Sequence, residues 1–180
     1  MAMDVQTTPL PDVLVIEPEV FTDRRGSLFE AYHEARYAEA GIAGPFVQDN
    51  VSRSRRGVLR GRHFEVRGRQ GKLVSVVNGE VFDVAVDLRR DSPTFAQWFG
   101  TRLSGDNHRQ IYVPPGCAHG FCVLSEVADM LYKSTTPFAP EYERGVVWND
   151  PTIAIEWPLA DPVLSERDAA LPSLRELMAP

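Results

Sequence analysis

The segment KLVSVVNGEVFDVAVDLR, residues 72–89, constrains the possible folds of this chain more than any other. It contains two runs rich in β-branched and apolar residues, and Asn78-Gly79 separates them. This pattern predicts a strand, a turn and a second strand. Similar short alternating runs, each ended by turn residues, follow one another from Leu14 to Tyr132. Such closely spaced strands, with few helical stretches, predict an all-β sandwich or a small barrel.

Two short helices interrupt the strand pattern. One is predicted near residues 34–40 and ends at Gly41, and the other begins near Ser165 and covers residues 166–178. The segment VPPGCAHGF, residues 113–121, contains two prolines and two glycines, which disfavour both a helix and a central strand. We therefore predict that this segment is a tight loop between strands.

The length and charge of the chain limit its class. Its 180 residues suit one domain, residues 1–180, that can bury a sizeable core. A net charge of −6 argues against nucleic acid or an anionic membrane as a partner. The sequence contains no run typical of a signal peptide or a membrane span. Because Cys117 and Cys122 lie in an apolar stretch typical of buried thiols in a reducing compartment, we expect a cytoplasmic protein.

Arginine clusters locally although the chain is acidic. Seven arginines fall between positions 53 and 69, and Arg60 and Arg62 flank Gly61 just before His63. A solvated basic loop is one interpretation of this cluster. The other is that a few of these guanidinium groups clamp a phosphate.

His63, Lys72 and Tyr132 are the candidates for proton transfer. His63 is either a structural histidine or a base that works near neutral pH and needs a carboxylate to orient it. Lys72 at a strand start is either exposed to solvent or directed into a pocket, where its ammonium could stabilise an enolate. Tyr132 shares a strand face with Met130 and Ser134, so it is either a core residue or a general acid.

A metal site is not expected. The Pro-x-Gly-x-x-His pattern ending at His119 resembles a segment of metal-binding cupins, which also carry a His-x-His pair on an earlier strand. Here Phe64 and Glu65 follow His63, so one of the usual ligands is missing.

Asp168 does not stand out as a catalytic residue from its local sequence. Ser165 precedes it by three positions, which is typical of a capping arrangement at the start of a helix.

Taken together, the motifs resemble those of the dTDP-4-dehydrorhamnose 3,5-epimerases, a family of sugar-nucleotide epimerases. The resemblance spans residues 13–168, and the motifs recur in order. They are FTDRRGSLFE, FVQDNVSRS, GVLRGRHF, QGKLVSVVNGEVFDVAVDLR, SPTFAQW, VPPGCAHGF, LYK and WNDPTIAIEWPL.

The resemblance implies a cupin-type jelly roll with short peripheral helices, usually a homodimer. It further implies an isomerase that acts on a dTDP-4-keto-6-deoxyhexose without metal or organic cofactor. In this role His63 is the base, Asp168 orients it, Tyr132 is the acid on the opposite face, and Lys72 steadies the enolate with His119 nearby. The positions that match substrate-binding residues of the family are Arg24, Glu30, Gln48, Asn50, Arg60, Glu143 and Arg167, with Phe21 and Phe138 as aromatic positions near the nucleotide base.

Three departures from the family pattern lie near this predicted site. GRHFE, residues 61–65, replaces the common GLHYQ, Pro137-Phe138 replaces a tyrosine pair, and Arg167 replaces a lysine. They leave open whether C3 alone or both C3 and C5 are inverted, since some relatives invert only C3. The alternatives are a sugar-nucleotide ketoisomerase on the same scaffold and a non-catalytic cupin that binds a sugar nucleotide.

Overall fold

The computed structural model describes residues 2–42 and 44–179, and strands dominate it. The strands are β1 (Met3–Thr7), β2 (Leu14–Pro18), β3 (Val20–Asp23), β4 (Gly26–Phe29), β5 (Gln48–Arg55), β6 (Leu59–Glu65), β7 (Lys72–Asn78), β8 (Glu80–Asp87), β9 (Trp98–Ser104), β10 (Gln110–Val113), β11 (Cys117–Val123), β12 (Val127–Ser134) and β13 (Glu143–Gly145). The helices are α1 (Glu34–Glu39), α2 (Glu166–Ala169) and α3 (Leu174–Leu177), with a 3₁₀ turn at Pro140–Tyr142.

Two sheets form the jelly roll that the family resemblance implied, and the strand pattern had predicted a sandwich or a small barrel. One has the strand order β1-β2-β10-β7-β12-β5 and the other β13-β6-β11-β8-β9, while β3 and β4 form a separate hairpin. Neighbouring strands pair antiparallel throughout both sheets. Val74, Ile111 and Met130 of the first sheet pack with Ala85 and Phe121 of the second in one buried apolar cluster. The core therefore lies between the sheets.

The Asn78-Gly79 turn carries the chain from one sheet to the other. β7 pairs with β10 and β12, whereas β8 pairs with β11 and β9, so the two predicted strands are confirmed but are not hydrogen-bonded to each other. Gly79 has φ +78°, and a Cβ atom there would lie 2.1 Å from the carbonyl oxygen of Val127. Only glycine fits this corner without displacing β12.

The prediction that residues 113–121 form a loop is wrong for most of the segment. Only Pro114, Pro115 and Gly116 form the turn, while Cys117–Val123 is a central strand, buried along its length. The prolines precede the strand and therefore leave its ladder of hydrogen bonds intact. His119 is consequently held in the middle of a sheet rather than on a loop.

The outer side of the five-stranded sheet is covered by the C-terminal part of the chain. Val84 and Ala118 of the sheet pack there against Val146, Ile153 and Leu174. This covering explains why β8 and β11 are apolar on both faces, and it brings α2 to the end of the sheet that carries β6.

The first predicted helix is confirmed as α1, and the second is split. Pro172 lies between α2 and α3, and a proline disfavours helical conformation in the residue before it. Ser173 begins α3 with a capping box that it forms with Glu176. The single helix predicted over residues 166–178 is therefore two one-turn helices.

Cys117 and Cys122 are buried free thiols, as predicted. Burial raises the pKa of the Cys117 thiol to about 12 and that of Cys122 to about 11. Among the described residues, no helix has the length and apolar character needed to cross a membrane.

Candidate active site

A cavity of about 410 Å³ lies at one end of the sandwich, between the two sheets. The six-stranded sheet contributes β5, β7 and β12 to its wall, and the five-stranded sheet contributes β6, β11 and β13. The lining residues include Gln48, Asn50, Arg60, His63, Lys72, His119, Tyr132, Phe138, Glu143, Arg167 and Asp168. Eleven residues that the sequence predicted for the site therefore line one cavity, whose volume is typical of a small-molecule site.

A β-bulge in β6 directs both Arg60 and His63 into the cavity. His63 is opposite His119 and Gly61 is opposite Gly120, so Arg62 is an extra residue in the ladder. Regular alternation would place Arg60 and His63 on opposite faces, and the extra residue brings them to the same one. Gly61 has φ +100°, and a Cβ atom there would lie 2.6 Å from the His119 carbonyl oxygen. The bulge therefore requires glycine at this position.

His63 and Asp168 form a hydrogen-bonded pair. Nε2 of His63 lies 2.7 Å from Oδ1 of Asp168, although the two residues are 105 positions apart in the chain. Burial by itself raises the pKa of Asp168, but the hydrogen bond and charge of His63 together with hydrogen bonds from Ser165 and the Gly61 backbone outweigh it, and the pKa lies below its ordinary value. The ionised carboxylate therefore fixes the Nε2–H tautomer, which leaves Nδ1 free to accept a proton.

The capping interpretation of Ser165 is also correct. The hydroxyl of Ser165 accepts a hydrogen bond of 3.0 Å from the backbone N–H of Asp168. The cap binds the backbone N–H of Asp168, and the carboxylate of the same residue is bonded to His63. The helix cap thus holds the carboxylate in place.

His119 forms a second pair, with Asp83. Nε2 of His119 lies 2.8 Å from Oδ2 and 3.0 Å from Oδ1 of Asp83, and both residues are buried. The sequence reasoning missed Asp83. An ionisable residue inside the otherwise apolar run 81–86 of β8 was the signal that could have revealed it, since buried carboxylates are almost always paired.

The ammonium of Lys72 is directed into the cavity without a partner. Within residues 2–42 and 44–179, no hydrogen bond or ion pair engages its Nζ atom. Burial lowers the pKa of Lys72, while the negative charges of Glu143 and Asp83 oppose this shift. A desolvated ammonium with no internal partner can hold an oxyanion that develops on a bound ligand.

Tyr132 lies on the wall formed by the other sheet. Its ring packs against the main apolar cluster, and its side chain borders the cavity with Ser134. Burial raises the pKa of Tyr132, and the charge of Glu143 adds to this effect while that of Arg60 opposes it. The phenol therefore stays protonated at neutral pH, as a proton donor must.

Glu143 lies between His63 and Arg167 in the wall of the cavity. Its Oε1 lies 3.8 Å from Nδ1 of His63, and its Oε2 accepts a hydrogen bond from Nη2 of Arg167. Gly145 of the same strand is opposite His63 in the ladder, so the β13–β6 pairing fixes this arrangement.

Gln48, Asn50 and Phe138 form the part of the wall next to β5. The amide of Gln48 donates a 3.0 Å hydrogen bond to Asn50 and accepts one of 2.8 Å from the backbone N–H of Phe138. The Phe138 ring is half exposed at the mouth of the cavity. These contacts place an amide pair beside an aromatic ring, an arrangement suited to a nucleotide base.

Three predicted binding residues do not line the cavity of their own chain. Phe21 and Arg24 lie on the exposed β3–β4 hairpin, and Phe21 is 47% exposed. Glu30 follows the hairpin and is hydrogen-bonded to Arg36 of α1. Their contact with a substrate stays a prediction.

In the described part of the chain, no group of three or more His, Cys, Asp or Glu residues could hold a metal ion. The cavity combines an imidazole, a phenol and an ammonium that has no partner among the described residues. With His63 on one sheet and Tyr132 on the other, proton removal and proton return from different sides of a bound ligand are geometrically possible.

Known proteins resemble this chain over nearly its whole length. A family model described as dTDP-4-dehydrorhamnose 3,5-epimerase matches residues 7–176. A dTDP-4-dehydrorhamnose 3,5-epimerase from Pseudomonas aeruginosa is 60% identical over 161 residues, covering 88% of this chain and 89% of the relative. A dTDP-4-dehydrorhamnose 3-epimerase from Streptomyces niveus is 44% identical, covering 92% of this chain and 81% of the relative. A crystal structure of RmlC from Legionella pneumophila in complex with dTDP-4-keto-L-rhamnose has a TM-score of 0.94 at 50% identity, covering 97% of this chain and 94% of that one.

Proposed function

Because the chain belongs to the dTDP-4-dehydrorhamnose 3,5-epimerase family, we propose that it inverts C3 of a dTDP-4-keto-6-deoxyhexose by proton transfer between the sugar, His63 and Tyr132. The observation that carries this proposal is the arrangement of the cavity. His63, which is paired with Asp168, lies on one sheet, and Tyr132 lies on the other. The ammonium of Lys72, which has no partner among the described residues, lies in the same cavity.

The chemistry follows from these three groups. Nδ1 of His63 removes the proton next to the C4 ketone, and the resulting enolate oxygen is stabilised by the Lys72 ammonium with His119 nearby. Tyr132 then gives a proton to the same carbon from the other face, which inverts it. Arg60 and Arg167 are the cationic side chains of the wall that suit the diphosphate, since guanidinium groups bind phosphate oxygens bidentately.

Solvent deuterium tests this proposal directly. The protein is incubated with dTDP-4-keto-6-deoxyglucose in deuterated water, and NMR follows deuterium uptake and configuration at C3 and C5. We expect deuterium at C3 together with inversion. Uptake at neither carbon would support the non-catalytic cupin instead, and a shifted carbonyl group would support the ketoisomerase.

The same experiment decides between one and two inversions. The relatives include both 3,5-epimerases and a 3-epimerase, so similarity alone supports inversion of C3 and leaves C5 open. Pro137-Phe138 gives this cavity a phenyl ring where a tyrosine is common in the family, and Tyr132 is then the only phenol among the residues that line it. We propose that a single phenol favours inversion of C3 alone, and strong deuterium uptake at C5 would contradict this.

We further propose that the active form is a homodimer in which the β3–β4 hairpin of one copy completes the cavity of the other. The support is that Phe21 and Arg24 match substrate-binding positions yet lie on an exposed hairpin outside the cavity of their own chain. Leu28 of the same hairpin is 63% exposed, which suits a contact with a second copy.

Complementation between two inactive variants tests the dimer. Arg24→Ala and His63→Asn carry their defects on different parts of the chain. If the hairpin crosses to the partner, a mixed dimer contains one site with both defects and one site with neither, so mixing restores activity. No recovery in dimers shown by light scattering to be mixed would contradict the crossing.

A further inference from the structure

Each inversion leaves the proposed acid and base in the wrong protonation states. His63 has gained the proton taken from the sugar, and Tyr132 has lost the proton given to it. Before a second inversion, His63 must lose its proton and Tyr132 must regain one. While the cavity is filled and closed to solvent, a transfer from the imidazolium to the phenolate meets both needs at once. This inference therefore rests on the roles proposed above for His63 and Tyr132.

Few groups in the cavity can carry that proton. Arg60 and Arg167 carry guanidinium groups, which have only donors and no acceptor for this proton. Asp168 is bonded to Nε2 of His63, which is the nitrogen that does not exchange protons with the substrate. Nε2 of His119 is likewise engaged by Asp83.

Glu143 has the position that a carrier needs. Its Oε1 lies 3.8 Å from Nδ1 of His63, a gap that one bridging water or a small closure on ligand binding would convert into a hydrogen-bonded path. Arg167 binds only Oε2, so Oε1 remains available. The carboxylate lines the same cavity as Tyr132 and Lys72, and its charge acts to raise the pKa of both side chains.

We propose that Glu143 returns the proton from His63 to Tyr132 after each inversion and thereby resets the site. The imidazolium gives its Nδ1 proton to Oε1 of Glu143, and the carboxylic acid passes it to the phenolate oxygen of Tyr132. At the end His63 is neutral, Tyr132 is a phenol and Glu143 is a carboxylate again. No proton has to cross to bulk solvent while the substrate fills the cavity.

Pre-steady-state kinetics separate this role from simple substrate binding. Glu143→Gln keeps the size of the side chain and one carbonyl oxygen but cannot carry a proton. With dTDP-4-keto-6-deoxyglucose in deuterated water, we expect a burst of about one deuterium per active site at C3, followed by slow turnover. The slow phase should be about a hundredfold below wild type, the scale of a lost proton-transfer group. Glu141→Gln, which removes the same charge from an exposed position two residues away, should show no burst.

Chemical rescue gives an independent readout. Glu143→Ala leaves space beside Arg167 for formate, and added formate should restore steady-state turnover whereas chloride at equal ionic strength should not. If Glu143→Gln lowers the first inversion and the steady state equally, or shows wild-type turnover, Glu143 is not the carrier. If the wild-type protein forms no inverted product at all, the proposed function itself is wrong, and the two failures are distinct.

Discussion

The two histidine–aspartate pairs of this protein lie opposite each other on neighbouring strands and yet differ in construction. His119 and its partner Asp83 both come from the interior of the five-stranded sheet, and the Asp83 side chain is completely buried. His63 lies on the same sheet, but its partner Asp168 comes from a one-turn helix that the C-terminal segment carries to the end of the sheet. The side chain of His63 is 21% exposed and that of His119 only 8%.

This difference separates a pair that is partly open to the cavity from a pair that is buried within the sheet. The His119 pair is rigid and almost dry, which suits a group that points a dipole or a charge at a ligand. The His63 pair presents a free nitrogen to the cavity and has a second carboxylate, Glu143, beside it. Each histidine is bonded to an aspartate. The two histidines therefore differ in their exposure to the cavity rather than in the kind of partner they have.

The largest expected effect is the loss of the base. His63→Asn should abolish deuterium uptake at C3 and lower the rate by about a hundredfold to ten-thousandfold, because no other group in the cavity takes the place of Nδ1. Affinity for dTDP, measured by calorimetry, should largely remain. His119→Asn is the matched control, and it should slow turnover but leave measurable uptake. Equal loss in both variants would remove the distinction between the two pairs.

Loss of the acid should have a different signature. Tyr132→Phe keeps the packed ring and removes only the hydroxyl, so the fold should persist. Proton removal by His63 continues, and deuterium can still enter C3 with the original configuration, whereas inverted product falls sharply. NMR of the sugar distinguishes uptake from inversion. Inverted product at the wild-type rate would show that Tyr132 is only a core residue.

The strand pattern was predictable from sequence, and the construction of the two pairs was not. Alternation of apolar residues predicts strands, but it does not say that β7 and β8 belong to different sheets. The need of His63 for a carboxylate was also predictable. Its identity was not predictable from local pattern, because Asp168 is 105 positions away and its local sequence indicates a helix cap. Only the resemblance to a family supplied that partner.

For His119, the sequence predicted the turn correctly but not the strand that follows it. The prolines of VPPGCAHGF indicate a turn correctly, but they lie entirely before the strand, so their effect does not extend to His119. The contact with Asp83 depends on the register of β11 against β8, which no local pattern specifies.

The two aspartates should differ in what their removal changes. Asp168→Asn should lower turnover by on the order of a hundredfold, because an amide no longer fixes the useful tautomer of His63. Asp83→Asn should lower turnover less and stability more, by about 1–3 kcal/mol, since its carboxylate is buried and bonded to His119. Turnover and urea unfolding measured on both variants check the contrast, and the reverse ranking would contradict it.

The pH dependence of stability sharpens the same contrast for Asp168. Its folded-state pKa lies below the ordinary 3.8, so its carboxylate stabilises the fold above that pH and loses this contribution as the pH falls through the folded value. The stability difference between wild type and Asp168→Asn should therefore shrink between pH 6 and pH 3, as followed by urea unfolding. A difference that stays constant with pH would show that packing, rather than charge, accounts for it.

The smallest effect concerns Arg62, the bulge residue between the two pairs. Its side chain is fully buried, and its Nη2 donates to the carbonyl of Val146 while Nε and Nη1 have no partner among the described residues. Burial lowers its pKa to about 10, although Asp150 opposes the shift. A buried guanidinium that has only some of its hydrogen-bond partners lowers stability, and replacement of such groups by apolar ones is often stabilising.

Arg62→Leu, which introduces the residue common in the family, should therefore raise the free energy of unfolding by about 1 kcal/mol, as measured by urea unfolding, and leave turnover nearly unchanged. A clear loss of turnover, with dTDP affinity intact, would instead show that the guanidinium holds the bulge in the shape that directs His63 into the cavity.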